Sequence, residues 1–156
     1  MSMSPTLATF IESKHIPVHL LHHKPTETSF DSATTCHLAM KSMVKGVVLE
    51  DELGFMMAAL PADSRLDLDQ VRRYTGRKLN IADEYQLVDL FRDCEIGAIP
   101  ALGQAYGMTT LWDEQLAFSA KYFIEAGDHE NLLELSHIDF MELMKTMPHG
   151  QISLIH

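Results

Sequence analysis

Backbone chemistry is suggested first by the stretch Glu95-Ile96-Gly97-Ala98-Ile99-Pro100-Ala101-Leu102-Gly103-Gln104-Ala105-Tyr106-Gly107, which holds three of the chain's 8 glycines. Glycines at such spacing allow positive φ and let a ligand approach the main chain closely. Pro100 fixes its own φ, removes one donor and biases Ile99 toward an extended conformation. The stretch is apolar, not rich in Ser, Asn or Asp, so it does not read as a solvated surface loop. Two readings follow. Free N–H groups in a tight apolar loop could receive a carbonyl or an oxyanion, or the stretch is a buried crossing between elements.

Side-chain chemistry is suggested at two further places. Lys45 lies inside Met43-Val44-Lys45-Gly46-Val47-Val48-Leu49. Strand alternation puts it on one face with Val47 and Leu49, while Val44, Gly46 and Val48 share the other. A lysine on so apolar a strand either offers its ammonium to an anion or carbonyl in a cavity, or buries its stem and extends its head to water. His129 sits in the turn Ala126-Gly127-Asp128-His129-Glu130, where it is either an ordinary polar turn residue or a group that orients a substrate or shuttles a proton. The set His15, His19, His22 and His23 has no zinc-ligand spacing, since Pro17 interrupts it and no H-E-x-x-H or cysteine pair occurs. No metal and no cofactor are expected. No local motif supports Cys94 as a nucleophile paired with His129.

The elements that must position these groups are short and alternate irregularly. Thr6 to Ile16 has Leu7, Phe10 and Ile11 at helical spacing, and Pro17 ends it. Val18–Leu21 is a strand, and Asp31 or Ser32 opens a helix running to Met40. Val44–Glu50 and Phe55–Leu60 form a hairpin around Asp51-Glu52-Leu53-Gly54. Asp67 caps a helix with a Leu68, Val71 and Tyr74 stripe that stops at Gly76. Leu79–Ala82 is a brief strand, and Asp83 caps a helix carrying Leu87, Leu90 and Phe91 inward. After the glycine stretch come strands Thr109–Trp112, Tyr122–Glu125 and Leu132–Leu135. Ser136 then caps a helix with Ile138, Phe140, Met141 and Met144 facing inward, and the tail beyond Pro148 is expected to be loose. The pattern predicts one α+β domain over residues 1–156, a mixed central sheet flanked by short helices.

Composition narrows the partners. A content of 46% hydrophobic and 22% charged residues is ordinary for a globular domain. A net charge of −10 argues against binding DNA or other nucleic acid through a broad basic surface. Lys41 with Lys45, and Arg72, Arg73, Arg77 with Lys78, are local clusters; the second reads best as a solvated face, and contact with one nucleic-acid end stays open. No apolar run approaches the roughly 20 residues of a membrane span. The N-terminus lacks the pattern of a secretory signal, and Cys36 and Cys94 form no C-x-x-C, so a cytoplasmic location is expected.

Taken in order, the lysine strand, Leu60-Pro61-Ala62, Ile81-Ala82-Asp83-Glu84, Gly97-Ala98-Ile99-Pro100-Ala101-Leu102-Gly103 and Ala126-Gly127-Asp128-His129-Glu130 resemble the YbaK/prolyl-tRNA synthetase-associated domain family. The resemblance covers roughly residues 15 to 145. It implies a compact mixed-sheet domain that hydrolyses mischarged aminoacyl-tRNA at its 3′ end. With no synthetase around it, the chain looks like the free-standing, trans-acting kind, with an aminoacyl-tRNA synthetase as a further partner. By position, Lys45 and Gly97 would be the catalytic residues. Gly46, Ala98, Ile99, Pro100, Ala101, Gly103 and His129 would bind substrate. The family chemistry needs no metal, because the ester is already activated and the substrate's own ribose 2′-hydroxyl, or a substrate thiol, assists. Two departures bear on specificity: Gly46 replaces a frequent Thr, and Ala101 stands where the loop proline is common, with Pro100 one place earlier. The alternative is a binding module of the same fold that holds an aminoacyl-tRNA end or a small ligand without turnover.

Overall fold

The computed structural model describes residues 3–24, 32 and 41–154. The helix expected from Asp31 or Ser32 to Met40 lies almost wholly outside them. In chain order the elements are α1 (Pro5–Ser13), β1 (His19–His22), β2 (Met43–Asp51), β3 (Gly54–Pro61), α2 (Leu68–Thr75), β4 (Asn80–Ile81), α3 (Glu84–Leu90), a 3-10 turn (Gly103–Tyr106), β5 (Thr109–Asp113), a second 3-10 turn (Glu114–Phe118), β6 (Lys121–Glu125), β7 (Asn131–Ser136), α4 (His137–Met144) and β8 (His149–Gly150). The eight strands form one mixed sheet in the order β1-β7-β6-β2-β3-β5-β8, with β4 also paired to β2. The fold is α+β, as the sequence predicts.

Helix boundaries follow from capping. Asp67 accepts from the N–H groups of Asp69 and Gln70 and Gly76 closes α2 at φ 66°, as expected of a left-handed C-terminal glycine. Asp83 and Gln86 form a reciprocal box at the start of α3. Ser136 accepts from the Asp139 N–H at the start of α4.

The core lies on both faces of the sheet. On one face Val44, Ala59, Leu102, Tyr122 and Ile124 pack against Leu7 and Ile11 of α1 and Phe140, Leu143 and Met144 of α4. Val48, Met57, Ala82, Phe91 and Ile99 continue that face toward α3. On the opposite face Leu49, Met56, Ala58 and Leu111 pack against Val71 of α2 and Ile152. Farther along, Met43, Phe123, Leu132 and Leu21 share that same opposite face.

Two expectations are corrected. Ile138 is 79% exposed; in the first turn of α4 it falls outside the arc set by Phe140, Leu143 and Met144. The segment beyond Pro148 is ordered into the sheet: β8 runs parallel to β5, Leu66 bridges Ser153, and Ile152 is fully buried. The Ile152 carbonyl accepts from the Asp67 N–H at 2.7 Å, so the tail helps seat α2. Ile152, an apolar residue two positions after Gly150, was the available sequence sign.

Candidate active site

The site begins with a break in strand pairing along one edge of β2. β6 pairs with this edge only through Met43↔Phe123 and Val44↔Ile124. β4 takes the same edge only at Leu49↔Ile81 and Glu50↔Asn80. The Ser42 carbonyl accepts from Phe123 N–H at 2.9 Å and the Val48 carbonyl from Ala82 N–H at 2.9 Å, so even-numbered residues of β2 point their peptide groups toward this edge. Alternate residues of a strand address the same neighbour. Gly46 therefore turns its N–H and C=O into the interval between β6 and β4, where no described strand receives them.

The glycine loop roofs this interval on the face of Val44 and Val48. A Cβ on Gly46 would lie 3.2 Å from Ala101 Cα and 2.9 Å from Met57 Sδ; the loop backbone rests on the strand because no side chain intervenes. Ala98, Ala101 and Leu102 are fully buried, so the stretch is a packed crossing as well as a loop. Its two ends are held. Glu95 N–H donates to the Gly127 carbonyl at 2.8 Å, and Gly103 N–H donates to Thr110 Oγ1 at 2.9 Å. Between them the backbone N–H groups of Gly97, Ile99 and Ala101 make no hydrogen bond among the described residues. Gly97 has φ 87° and is exposed, a conformation that residues with a Cβ seldom take.

His129 joins the turn after β6 to the same loop. Its Nε2–H donates to the Ile96 carbonyl at 2.5 Å, leaving Nδ1 buried without a hydrogen-bond partner among the described residues. The residue itself is at φ 61°. Asp128 makes that turn affordable, its Oδ1 accepting from Glu130 N–H at 3.0 Å and Asn131 N–H at 2.9 Å. Such local acceptors are what stabilise tight turns.

Behind the loop, Asp93 accepts from Ser4 Oγ at 2.8 Å and Thr6 N–H at 2.8 Å and from Tyr106 Oη at 3.0 Å. Burial raises and these hydrogen bonds lower the Asp93 carboxyl, and the bonds prevail, leaving it at about 2. Cys94 meets Tyr106 Oη at 3.0 Å, and burial pushes its thiol up to about 11. A thiol so held is a poor nucleophile at neutral pH, and it faces Tyr106, whereas His129 faces Ile96.

Lys45 is half-buried. Burial lowers its pKa, Asp63 opposes that shift and Arg65 adds to it. Its side chain shares the sheet face of Met43 and Val47, opposite to the loop, so the structure joins Gly46 to Ala101 and His129 to Ile96 but sets Lys45 across the strand from them. On that face sits a residue the sequence reading passed over. Glu125, the last residue of β6, is 1% exposed. Its Oε1 accepts from Ser32 Oγ at 2.6 Å, while Oε2 has no partner among the described residues. Burial pushes its carboxyl up to about 7. The available signal was an acid closing the otherwise apolar run Tyr122-Phe123-Ile124. Among the described residues no group of three or more His, Cys, Asp or Glu is placed to hold a metal ion, and no helix there is long and apolar enough to cross a membrane.

The sequence model of the aminoacyl-tRNA editing domain family matches residues 23–143. No curated protein matches the sequence. Among solved structures, a hypothetical protein, APE2540, superposes with a TM-score of 0.84 at 21% identity, covering 96% of this chain and 99% of that one. A candidate trans-editing enzyme for prolyl tRNA synthetase gives 0.84 at 19% identity, covering 99% and 100%. A candidate signal transduction protein from Marinobacter aquaeolei gives 0.77 at 17% identity, covering 97% of this chain and 31% of that one. At such identities these likenesses carry the fold and not the activity.

Proposed function

The chain belongs to the aminoacyl-tRNA editing domain family, whose sequence model spans residues 23–143, and we propose that it acts in trans to hydrolyse the ester of mischarged aminoacyl-tRNA. One observation carries this reading: the interval in the sheet at Gly46, roofed by a loop whose Gly97, Ile99 and Ala101 N–H groups make no hydrogen bond among the described residues. An aminoacyl ester is already activated, so the protein has to position it, place a water and stabilise the oxyanion. Backbone groups perform the last task without a protein nucleophile or a metal. The acting in trans is supported by the full-length likeness to the candidate trans-editing enzyme.

In the proposed reaction the 3′ end enters the interval and the ester carbonyl lies toward the Gly97–Ala101 backbone. Water attacks the carbonyl carbon, the bond to the ribose oxygen breaks, and the water's proton passes to that oxygen by way of the neighbouring ribose hydroxyl. Lys45 borders the opening from the other face of β2 and anchors a phosphate or carbonyl oxygen by its ammonium. Gly46, Pro100 and Gly103 keep the loop close to the strand, and His129 holds the Ile96 peptide.

The test is release of amino acid from a panel of mischarged tRNAs, with the protein in trace amounts and with chelator in a parallel arm. Turnover on at least one member in both arms is expected. Stoichiometric binding without release would establish a binding module instead. Loss of turnover with chelator, restored by added metal, would overturn the metal-free reading.

A further inference from the structure

On the face of the sheet opposite the glycine loop, three buried polar atoms lack partners among the described residues: Asp113 Oδ2 at the end of β5, and Glu125 Oε2 and His23 Nε2 on the β6 side of β2. Buried polar groups are nearly always hydrogen-bonded, so each orphan needs an explanation. The last two belong to one neighbourhood. Glu125 lies opposite Leu132, which lies opposite Leu21, and His23 continues the β1 ladder by donating its N–H to the Glu130 carbonyl at 2.7 Å. Glu125 and Lys45 each follow the last paired residues of the β2–β6 ladder, Val44↔Ile124. They therefore flank the interval at Gly46 from its two sides, on one sheet face. No ion pair joins them: the charged neighbours that act on Lys45 are Asp63 and Arg65.

A carboxyl that is 1% exposed and has one oxygen unmatched is a costly feature in a folded chain, unless a ligand completes it. The ligand chemistry that completes a carboxylate is a compact cation with several donors. An aminoacyl ester carries one such group, its free α-ammonium, a bond away from the carbon that bears the ester. We propose that Glu125 is the residue that receives the α-ammonium of the aminoacyl group, so that the site takes esters with a free amine in preference to uncharged analogues. This rests on the proposed deacylase reading.

The electrostatics agree with this role. Burial is the largest influence on Glu125, Ser32 opposes it and Asp128 adds to it. Without a cation its carboxyl therefore stands at about 7, and a bound ammonium would favour the ionised form. Other titratable side chains on this face are Lys45 and Asp51 of β2, Asp113 of β5, Lys121 of β6, Glu134 of β7, and His19 and His23 of β1 and its extension, with Asp63 and Arg65 acting on Lys45. Lys121 is occupied with Glu134 at 3.8 Å. Lys45 is left to the negatively charged part of the substrate, and Glu125 to the positive one.

The experiment compares the full chain and its Glu125→Gln and Glu125→Asp variants on two esters of the same tRNA. One is the aminoacyl-tRNA that the wild-type protein hydrolyses best. The other is its α-hydroxyacyl analogue, which replaces the amine by a hydroxyl of similar size. The wild type is expected to prefer the free amine by about tenfold or more in kcat/KM, as for loss of a buried charge-assisted contact. Glu125→Gln should bring that ratio to near one, mainly by slowing the amine substrate, and Glu125→Asp should restore part of it. A wild-type ratio near one overturns the proposal without any variant. So does an unchanged ratio in a folded Glu125→Gln protein, or an equal loss on both esters, which would instead make Glu125 a support for the site as a whole. A wild type that hydrolyses neither ester refutes the deacylase reading itself, and is told apart by that result.

Discussion

Replacing Gly46 by alanine tests whether the loop must rest on β2. The added Cβ would stand 2.9 Å from Met57 Sδ and 3.2 Å from Ala101 Cα. The thioether can swing aside, but the second neighbour is main chain, and it has to retreat by a few tenths of an ångström. Overpacking of this kind costs about 1–2 kcal/mol, which corresponds to a fall of about 2–8 °C in Tm for a chain of this size. A misplacement of about 1 Å costs about a hundredfold in rate, so the smaller shift should slow single-turnover deacylation by about three- to tenfold. Gly150→Ala is the control. Its Cβ would lie 2.6 Å from the Tyr74 ring, at the β8 edge, so it should lower stability without touching the rate per folded molecule. Melting temperature and single-turnover rate are measured on the same preparations. If Gly46→Ala loses no more activity per folded molecule than Gly150→Ala, the seating of the loop on β2 does not serve catalysis.

Gly97→Ala keeps the N–H but strains a backbone at φ 87°, and the displaced donor should slow deacylation by about tenfold to a thousandfold, as for a well-placed oxyanion donor put out of reach. Because Gly97 has φ 87° and is exposed, the strain of about 1–2 kcal/mol should appear as only a modest fall in Tm; a large fall with normal specific activity would make the position scaffold. Lys45→Ala should keep the fold and lose most deacylation, and Lys45→Arg should recover little, since a planar fork does not replace a compact ammonium. Steady-state kinetics with a melting curve check this, and full activity in folded Lys45→Ala would remove the residue from the site.

What the sequence made legible was local. The hairpin at Asp51–Gly54, the αL glycine at Gly76 and the caps at Asp67, Asp83 and Ser136 are each set by residues within a few positions of one another, and the structure has them there. The meeting of Gly46 with Ala101 could not be read from periodicity, because it depends on which strand takes the β6 edge of β2. Glu125 was hidden for a related reason. An acid at a strand end is usually solvated, and its burial here depends on neighbours distant in sequence, such as Ser32. The β8 tail was misjudged because two residues make a strand too short to show alternation, while the hydrogen bonds that hold it reach back to Arg65 and Asp67.

The interval at Gly46 exists because two strands share one edge of β2 without meeting. β6 arrives parallel and leaves after Val44, its chain turning away at Gly127, where φ is 106°. β4 arrives antiparallel and stays two residues long, and the start of α3 at Asp83 carries it off. What keeps β4 on this edge, and so sets the width of the opening, lies outside the site. Arg77 donates to both oxygens of Asp51, at 2.8 Å from Nε and 2.6 Å from Nη2, and these bonds hold the Asp51 carboxyl at about 2. Arg72 reaches from α2 to the Leu79 carbonyl at 3.1 Å and to Asn80 Oδ1 at 2.8 Å. The connection from α2 into β4 is thus fastened to the hairpin turn of β2 at one end and to α2 at the other. A paired guanidinium and carboxylate have fixed geometry, so β4 meets β2 at Leu49 and Glu50 and advances no farther toward Gly46. Arg72 and Arg77 of the second basic cluster are therefore structural: they fasten β4 at Leu49 and Glu50, short of Gly46, the strand residue on which the loop rests.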